Sequence, residues 1–220
     1  AGGVATVVNP NEPLGPSSRK TPIAISEIMC KPAPRSDSYN LEFIEIYNSN
    51  PWFHDVSGYR LEGSKLNYAF PANTIVPGGG FLVVAASPAD IRAVYGLQEV
   101  LGPYSGSLKT EDKLVLRSEV GAELLTVPYS NQGPWPVGTD GTGHSLVLSR
   151  PSYGEGDARA WSRSDTVGGS PGRMETFHVN PLQNVVINEL LAHTDPPDLD
   201  FIELYNHSGQ SVDVSGCVLT

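Results

Sequence analysis

Short stretches in which hydrophobic residues alternate with polar ones, separated by turn residues, are the dominant pattern of this chain. Such alternation predicts strands, because a helix would repeat its hydrophobic positions every three or four residues. The stretches lie at residues 23–29, 42–48, 56–61, 67–70, 113–117, 123–127, 144–150 and 160–162, and the apolar run 81–86 predicts a central buried strand. Eight or nine short strands at this spacing predict an all-β, immunoglobulin-like antiparallel β-sandwich.

Hydrophobic side chains of the second stretch occupy both of its faces. We assign Ile44 and Ile46 to the core, and we expect Phe43 and Tyr47, on the opposite face, to be partly covered. Trp135 lies between two prolines, in a rigid loop that we expect to cover the core.

One short helix is predicted at residues 88–95. Ser87 is a suitable N-cap, Pro88 fits the first helical turn, and Gly96 is a suitable C-terminal residue. In a fold made otherwise of strands, we expect this helix to close one open end of the sandwich.

The pattern of the first strands recurs near the end of the chain. Residues 23–29 (IAISEIM) return as 185–191 (VVINELL), residues 41–48 (LEFIEIYN) as 199–206 (LDFIELYN), and DVSG at 55–58 as 213–216. With one gap of four residues, thirteen of the 36 residues from Val185 to Thr220 are identical. The repeat predicts a second copy of the same opening strands.

The repeat divides the chain into four parts. Residues 1–22 and 173–184 are predicted linkers, residues 23–172 a complete sandwich, and residues 185–220 the opening strands of the second copy. Three strands cannot close a sandwich core, so we expect the protein to continue beyond Thr220 and the two copies to contact each other.

Charge and composition narrow the choice of partners. The 14 Lys and Arg against 24 Asp and Glu give a net charge of −10, and direct nucleic-acid binding is not expected from an acidic surface. No stretch approaches the ~20 apolar residues that a membrane span needs.

Cys30 and Cys217 lie at non-equivalent positions of the two copies, and we expect two buried free thiols.

Several segments, in order, resemble one known family. They are ISEIM (25–29), EFIEIYN (42–48), DVSGYRL (55–61) and YAFPANTIVPGGGFLVVA (68–85). Together they resemble the lamin tail domain, an immunoglobulin-like sandwich. The segments SPADIRAVYG (87–96), VLGPYSGSL (100–108) and GPWPVGTDGTGHSLVLSRP (133–151) are similar to its bacterial branch.

The resemblance implies a binding or structural domain rather than an enzyme. It implies a non-catalytic adhesive or spacer module of a larger secreted or cell-surface bacterial protein, with a protein or a surface glycan as partner. The alternative is an accessory domain that positions an exported nuclease or a spore-coat-type kinase elsewhere in the full chain. The first residues lack the features of a signal peptide, so export would depend on a segment outside this sequence.

The sequence contains no recognisable catalytic motif, and we predict no catalytic residue and no cofactor. The best candidate for a binding site is a loop with three carboxylates, Asp195, Asp198 and Asp200, because Ca²⁺ binds about six to eight hard oxygen atoms. The spacing is not that of an EF-hand, and the equivalent loop of the first copy carries Lys31 and Arg35. A solvated acidic loop is therefore the favoured interpretation, with calcium as the alternative.

Two pairs of acids lie at equivalent positions on neighbouring strands of the two copies. They are Glu27 with Glu45 and Glu189 with Glu203. On a sheet face we expect exposed carboxylates that pair with Lys or Arg or guard a sheet edge, rather than acid–base catalysts.

Four aromatic residues of the first copy, Trp52, Phe53, Tyr59 and Tyr104, are candidates for a sugar-stacking platform. The second copy has Gly-Gln-Ser at 209–211 in place of residues 51–53, so the aromatic pair is specific to the first copy. Coverage of the core is the interpretation that we favour for these side chains.

Overall fold

Strands dominate the computed structural model, which describes residues 12–136, 138–177, 181–192 and 199–217. The chain divides into two compact units, Ala1–Phe177 and His178–Thr220. The first unit contains one α-helix, α1 (Pro88–Tyr95), and 3₁₀ turns at Pro151–Tyr153 and Ala158–Ala160. Its strands are β1 Ile23–Met29, β2 Phe43–Asn48, β3 His54–Asp55, β4 Arg60–Glu62, β5 Asn67–Ala69, β6 Ile75–Val76, β7 Phe81–Ala85, β8 Val100–Leu101, β9 Leu114–Arg117, β10 Glu123–Val127, β11 Leu146–Leu148 and β12 Trp161–Arg163.

Two sheets form the sandwich that the sequence predicts. One has the strand order β12-β11-β1-β2-β7-β8, the other the order β10-β9-β4-β5, and β3 pairs separately with β6. In the six-stranded sheet β8 is parallel to β7, and the other neighbours are antiparallel. The immunoglobulin-like all-β fold with one short α-helix is confirmed.

The main core lies between the two sheets, where alternate side chains of facing strands meet. Ile44 and Ile46 of β2 contribute to it from one sheet, and Leu61 and Leu116 contribute from the other; all four are fully buried. Trp135 is buried in the same cluster, as predicted.

The outer face of the six-stranded sheet is buried as well. Phe43 is 0% exposed and Tyr47 is 9% exposed, so the expectation of partial cover for these two is wrong. Ile91 of α1 packs in a second cluster with Met29, Phe43 and Val83. The helix therefore covers a sheet face instead of closing an end of the sandwich, because β2 and β7 carry apolar side chains on both faces and require cover on both.

The bounds of α1 follow from the residues that flank it. Ser87 has an extended backbone, Pro88 occupies the first turn, and the Gly96 amide donates to the carbonyl of Arg92 from a left-handed conformation. Glycine adopts that conformation at little cost, which is why the helix ends there.

Part of the predicted N-terminal linker contacts the sandwich, whereas residues 1–11 lie outside the described residues. Residues 12–22 contain no helix or strand. The Glu12 amide nevertheless donates to the Ser149 carbonyl at 2.8 Å, and Leu14 packs against the core.

The second unit contains a 3₁₀ turn, Pro181–Asn184, followed by β13 Val185–Leu191 and β14 Phe201–Asn206, which form an antiparallel pair. Its apolar side chains are exposed; Ile187 and Leu190 are 59% and 64% exposed. Cys217 is a free thiol like Cys30, but it is exposed, so the prediction of two buried thiols is wrong for Cys217.

Candidate functional site

Two glutamates on the outer face of the six-stranded sheet form the most unusual polar cluster of the first unit. Glu27 of β1 lies opposite Glu45 of β2, and the β1–β2 register shifts between Ile25 and Glu27. This bulge inserts Ser26 and allows both Ile25 and Ile28 to face the core while Glu27 faces outward.

Both carboxylates are almost completely buried, at 1% exposure each. This contradicts the expectation that Glu27 and Glu45 are exposed and pair with Lys or Arg. Neither of them belongs to an ion pair within the described part of the chain. The cover comes from residues 165–175, which lie more than a hundred positions further along the chain.

Hydrogen bonds from this covering segment and from neighbouring serines replace water around the pair. Glu27 accepts from the Ser170 amide at 3.0 Å and from the Ser145 hydroxyl. Glu45 accepts from the Ser26 hydroxyl at 2.7 Å and from the Gly172 amide at 2.5 Å.

A third carboxylate, Glu175, extends this network at the end of the segment. It accepts from the Ser170 hydroxyl at 2.7 Å and from the Asp165 amide at 3.1 Å. The segment thus folds back on itself around Ser170 while it covers the pair.

Burial raises the pKa of Glu27 to about 7, while hydrogen bonds from Ser145 and Ser170 oppose the rise. Burial also raises the pKa of Glu45 well above its ordinary value, and the nearby Glu27 carboxyl adds to the increase. Two carboxylates that share a dry site disfavour each other's charge, so the pair retains a proton near neutral pH.

A cavity of about 200 Å³ lies beside the pair. Apolar side chains, including Leu14, Phe81 and Val147, form much of its wall. All four carboxylate oxygens of Glu27 and Glu45 already accept hydrogen bonds from the protein. The geometry therefore gives the pair a structural role.

A separate buried glutamate fastens another loop to the sheet. Glu42 accepts from the Tyr104 hydroxyl at 2.5 Å and from the Leu108 amide at 2.6 Å. Burial raises the pKa of Glu42 as well. The buried glutamates of this fold thus accept hydrogen bonds from amides and hydroxyls of loops. The expectation of exposed carboxylates on a sheet face did not include this pattern.

The closest serine–histidine pair in the described residues has no catalytic geometry. The Ser164 hydroxyl is buried and donates to the Thr166 carbonyl at 2.9 Å. His144 Nδ1 lies 2.8 Å from the Ser164 carbonyl oxygen and 3.5 Å from its hydroxyl. Because the Ser164 hydroxyl already donates its hydrogen bond to a carbonyl, this pair has a structural role.

The predicted calcium loop lies largely outside the described residues, which include Asp200 but not Asp195 or Asp198. Asp200 is exposed. Across the described ranges, no group of three or more His, Cys, Asp or Glu side chains is arranged to hold a metal ion. Calcium binding by the three aspartates stays a prediction.

The four candidate aromatic residues do not form a common platform. Tyr104 is buried and Tyr59 is half-buried beside His54, whereas Trp52 and Phe53 are 63% and 67% exposed. Coverage of the core, the favoured interpretation, is therefore wrong for Trp52 and Phe53.

The loop that carries the two exposed aromatics is held firmly. The buried Asn48 side-chain amide donates to the Trp52 carbonyl at 2.8 Å and to the Val76 carbonyl at 3.0 Å. Gly78 fits closely against the backbone of Pro51 and Trp52, where a Cβ would overlap them. The loop therefore presents two aromatic side chains on a fixed backbone.

No helix in the described part of the chain is long and apolar enough to cross a membrane.

No curated protein matches the chain. A family model described as the Lamin Tail Domain matches residues 16–133, which is more than half of the chain. The match and the two-sheet architecture agree, and the chain belongs to the lamin tail domain family of non-catalytic, immunoglobulin-like β-sandwiches.

Proposed function

We propose that the chain is a non-catalytic structural and interaction module of a larger secreted or cell-surface bacterial protein, in which the lamin-tail fold is repeated. The first copy is the complete sandwich at residues 23–172, and residues 185–220 are the opening strands of the second. The observation that carries the proposal is the close agreement between the β1–β2 pair and the β13–β14 pair.

The two pairs share their register and their irregularity. Ile25 is opposite Ile46 and Glu27 is opposite Glu45 in the first pair, with the bulge between Ile25 and Glu27. The second pair places Ile187 opposite Leu204 and Glu189 opposite Glu203, with its bulge between Ile187 and Glu189.

The bulge residue also makes the same contact in both pairs. The Ser26 hydroxyl donates to Glu45 in the first pair, and the Asn188 side-chain amide donates to Glu203 in the second. Conserved geometry at a bulge supports common ancestry of two segments better than composition does, because bulges are specific structural features.

Repetition favours a structural or adhesive role, since tandem copies extend a protein or multiply its contacts. The Trp52–Phe53 loop supports a contact role for the first copy. Exposed aromatic side chains on a fixed backbone lose little conformational entropy on binding and suit either a protein or a glycan surface.

The absence of catalysis is testable on the purified chain. We expect no cleavage of DNA or RNA, no phosphate transfer from ATP to protein, and no hydrolysis of ester substrates above buffer rates. The physical reason is that four buried polar groups, those of Glu27, Glu45, Glu42 and Ser164, are engaged by hydrogen bonds of the fold. Turnover that co-purifies with the chain and is lost on substitution of one of its residues would overturn the proposal.

A further inference from the structure

The segment that covers the acidic pair, residues 165–175, contains no helix or strand. Two of its backbone amides, those of Ser170 and Gly172, donate to Glu27 and Glu45 respectively. Single hydrogen bonds, rather than a strand ladder, therefore fasten this part of the chain, and one of them joins the Gly168 amide to the Gly143 carbonyl at 2.8 Å.

Two further contacts define how the segment sits. The Tyr95 hydroxyl of α1 donates to the Gly168 carbonyl at 2.7 Å. Gly169 has φ of +75° and lies so close to Glu27 that a Cβ would overlap a carboxylate oxygen. The fit is tight enough that a change in the protonation of the carboxylates acts directly on the segment.

We propose that Glu27 and Glu45 form a proton-dependent clasp, which holds residues 165–175 closed while the pair is protonated and loosens them as its carboxyls lose their protons. The two groups are opposite each other in register, buried, and without a basic ion-pair partner in the described residues. Two negative charges in such a site repel strongly, and opening the segment admits the water that screens them.

Other ionisable groups face the pair or line the cavity beside it. Glu175 raises the pKa of both Glu27 and Glu45, following the dominant effect of burial. Glu12 and Arg173 line the same cavity with opposite charges. Tyr95 stays protonated throughout, since burial raises its pKa to about 12.

The direction of the pH response follows from the raised pKa values of the pair. The closed state holds a proton that a solvent-exposed glutamate, with an ordinary pKa of 4.5, would lose. Its contribution to stability is complete below that value and is lost as the pH rises through about 7. The clasp therefore weakens as the pH rises above 4.5, and its opening exposes the apolar cavity wall that includes Phe81 and Val147.

Amide hydrogen exchange of the intact chain tests the clasp. Protection of residues 165–175, normalised to the exchange of an unstructured peptide at each pH, is expected to fall by up to roughly tenfold per pH unit for each carboxyl between pH 4.5 and the raised pKa values of the pair, and to level off above them. Protection in β7 is expected to stay constant over the same range. A pH-independent protection of the segment in the wild-type chain would contradict the proposal.

The variant Glu45→Gln removes the charge and keeps the hydrogen bonds, because its amide oxygen accepts from Gly172 and its amide nitrogen donates to Ser26. We expect a smaller pH response of the segment in this variant, because Glu27 remains as a titrating group whose pKa is raised mainly by burial. Glu27→Gln is the second variant, to be used if the first does not fold. A pH response of wild-type size in a folded Gln variant would assign the opening to another group.

The second copy provides the matched control. Glu189 and Glu203 have the same register as the clasp, but both are exposed. Glu203→Gln is therefore expected to leave the pH response of residues 165–175 unchanged, and a loss of the response in this variant would contradict a local clasp.

Discussion

Replacing Ile44 with alanine is expected to lower the free energy of unfolding of the first unit by about 2–5 kcal/mol. Ile44 is 0% exposed and packs in the cluster between the two sheets. Its removal loses buried apolar area and leaves a cavity that the surrounding strands cannot fill. Urea unfolding followed by tryptophan fluorescence measures the loss, because the buried Trp135 and Trp161 both lie in this unit.

Two isoleucines provide controls for this substitution. Ile75 of the first unit and Ile202 of the second unit, which aligns with Ile44 in the sequence, are each 43% exposed. Ile75→Ala and Ile202→Ala are expected to change the unfolding of the first unit by less than about 1 kcal/mol. A loss at Ile202 as large as that at Ile44 would mean that β14 belongs to the core of the first unit.

Replacing Gly106 with alanine is expected to destabilise the first unit by at least about 2 kcal/mol. Gly106 has φ of +82°, and a Cβ at this position would overlap the backbone carbonyl of Lys65. It follows Ser105, whose backbone exchanges hydrogen bonds with Asn67 at the edge of the four-stranded sheet. The alanine variant must therefore move one of these two backbone segments.

A substitution at Gly96 separates the steric cost of an added Cβ from the cost of the left-handed backbone conformation. Gly96 has φ of +71°, and a Cβ there meets no atom within 4 Å. Gly96→Ala is expected to cost only the left-handed conformation, about 1–2 kcal/mol, and so to unfold at a higher urea concentration than Gly106→Ala. Equal midpoints for the two variants would show that the contact with Lys65 relaxes without cost.

Local patterns were sufficient to predict most of the strands and the helix. The run Phe81–Ala85 is apolar at every position and forms a strand between β2 and β8, as expected of a strand buried on both faces. The helix was predictable because Pro88 and Gly96 act through their own backbone preferences and need no distant partner. Such signals can be read from neighbouring residues alone.

The acidic pair could not be predicted in the same way. The sequence places Glu27 and Glu45 on adjoining strands, but their burial depends on a bulge at Ser26 and on cover from residues 165–175. A signal does exist in the repeat, since Glu189 and Glu203 occur at the same positions. Repeated acids within hydrophobic strands indicate a structural requirement for them.

The aromatic residues show that exposure, too, is difficult to predict from the residue type. Tyr104 is buried because its hydroxyl finds Glu42, a residue 62 positions away, whereas Trp52 and Phe53 are exposed in a loop that Asn48 holds. All three side chains are aromatic, and contacts with residues outside their own segment determine whether each is buried or exposed. The contrast with Gly209-Gln210-Ser211, which align with residues 51–53, is the better guide to the exposed pair.

We propose that the β13–β14 hairpin is a second copy of β1–β2; its described apolar side chains are mostly exposed, whereas those of β1–β2 are buried. Hydrogen exchange of the chain, compared with a version in which residues 63–177 of the first copy follow Thr220, tests this claim most directly. We predict that amides of β13–β14 exchange much faster than those of β1–β2 in the chain itself, and that the extension raises their protection to a similar level. Equal protection of both hairpins in the unextended chain, or no gain on extension, would contradict the claim.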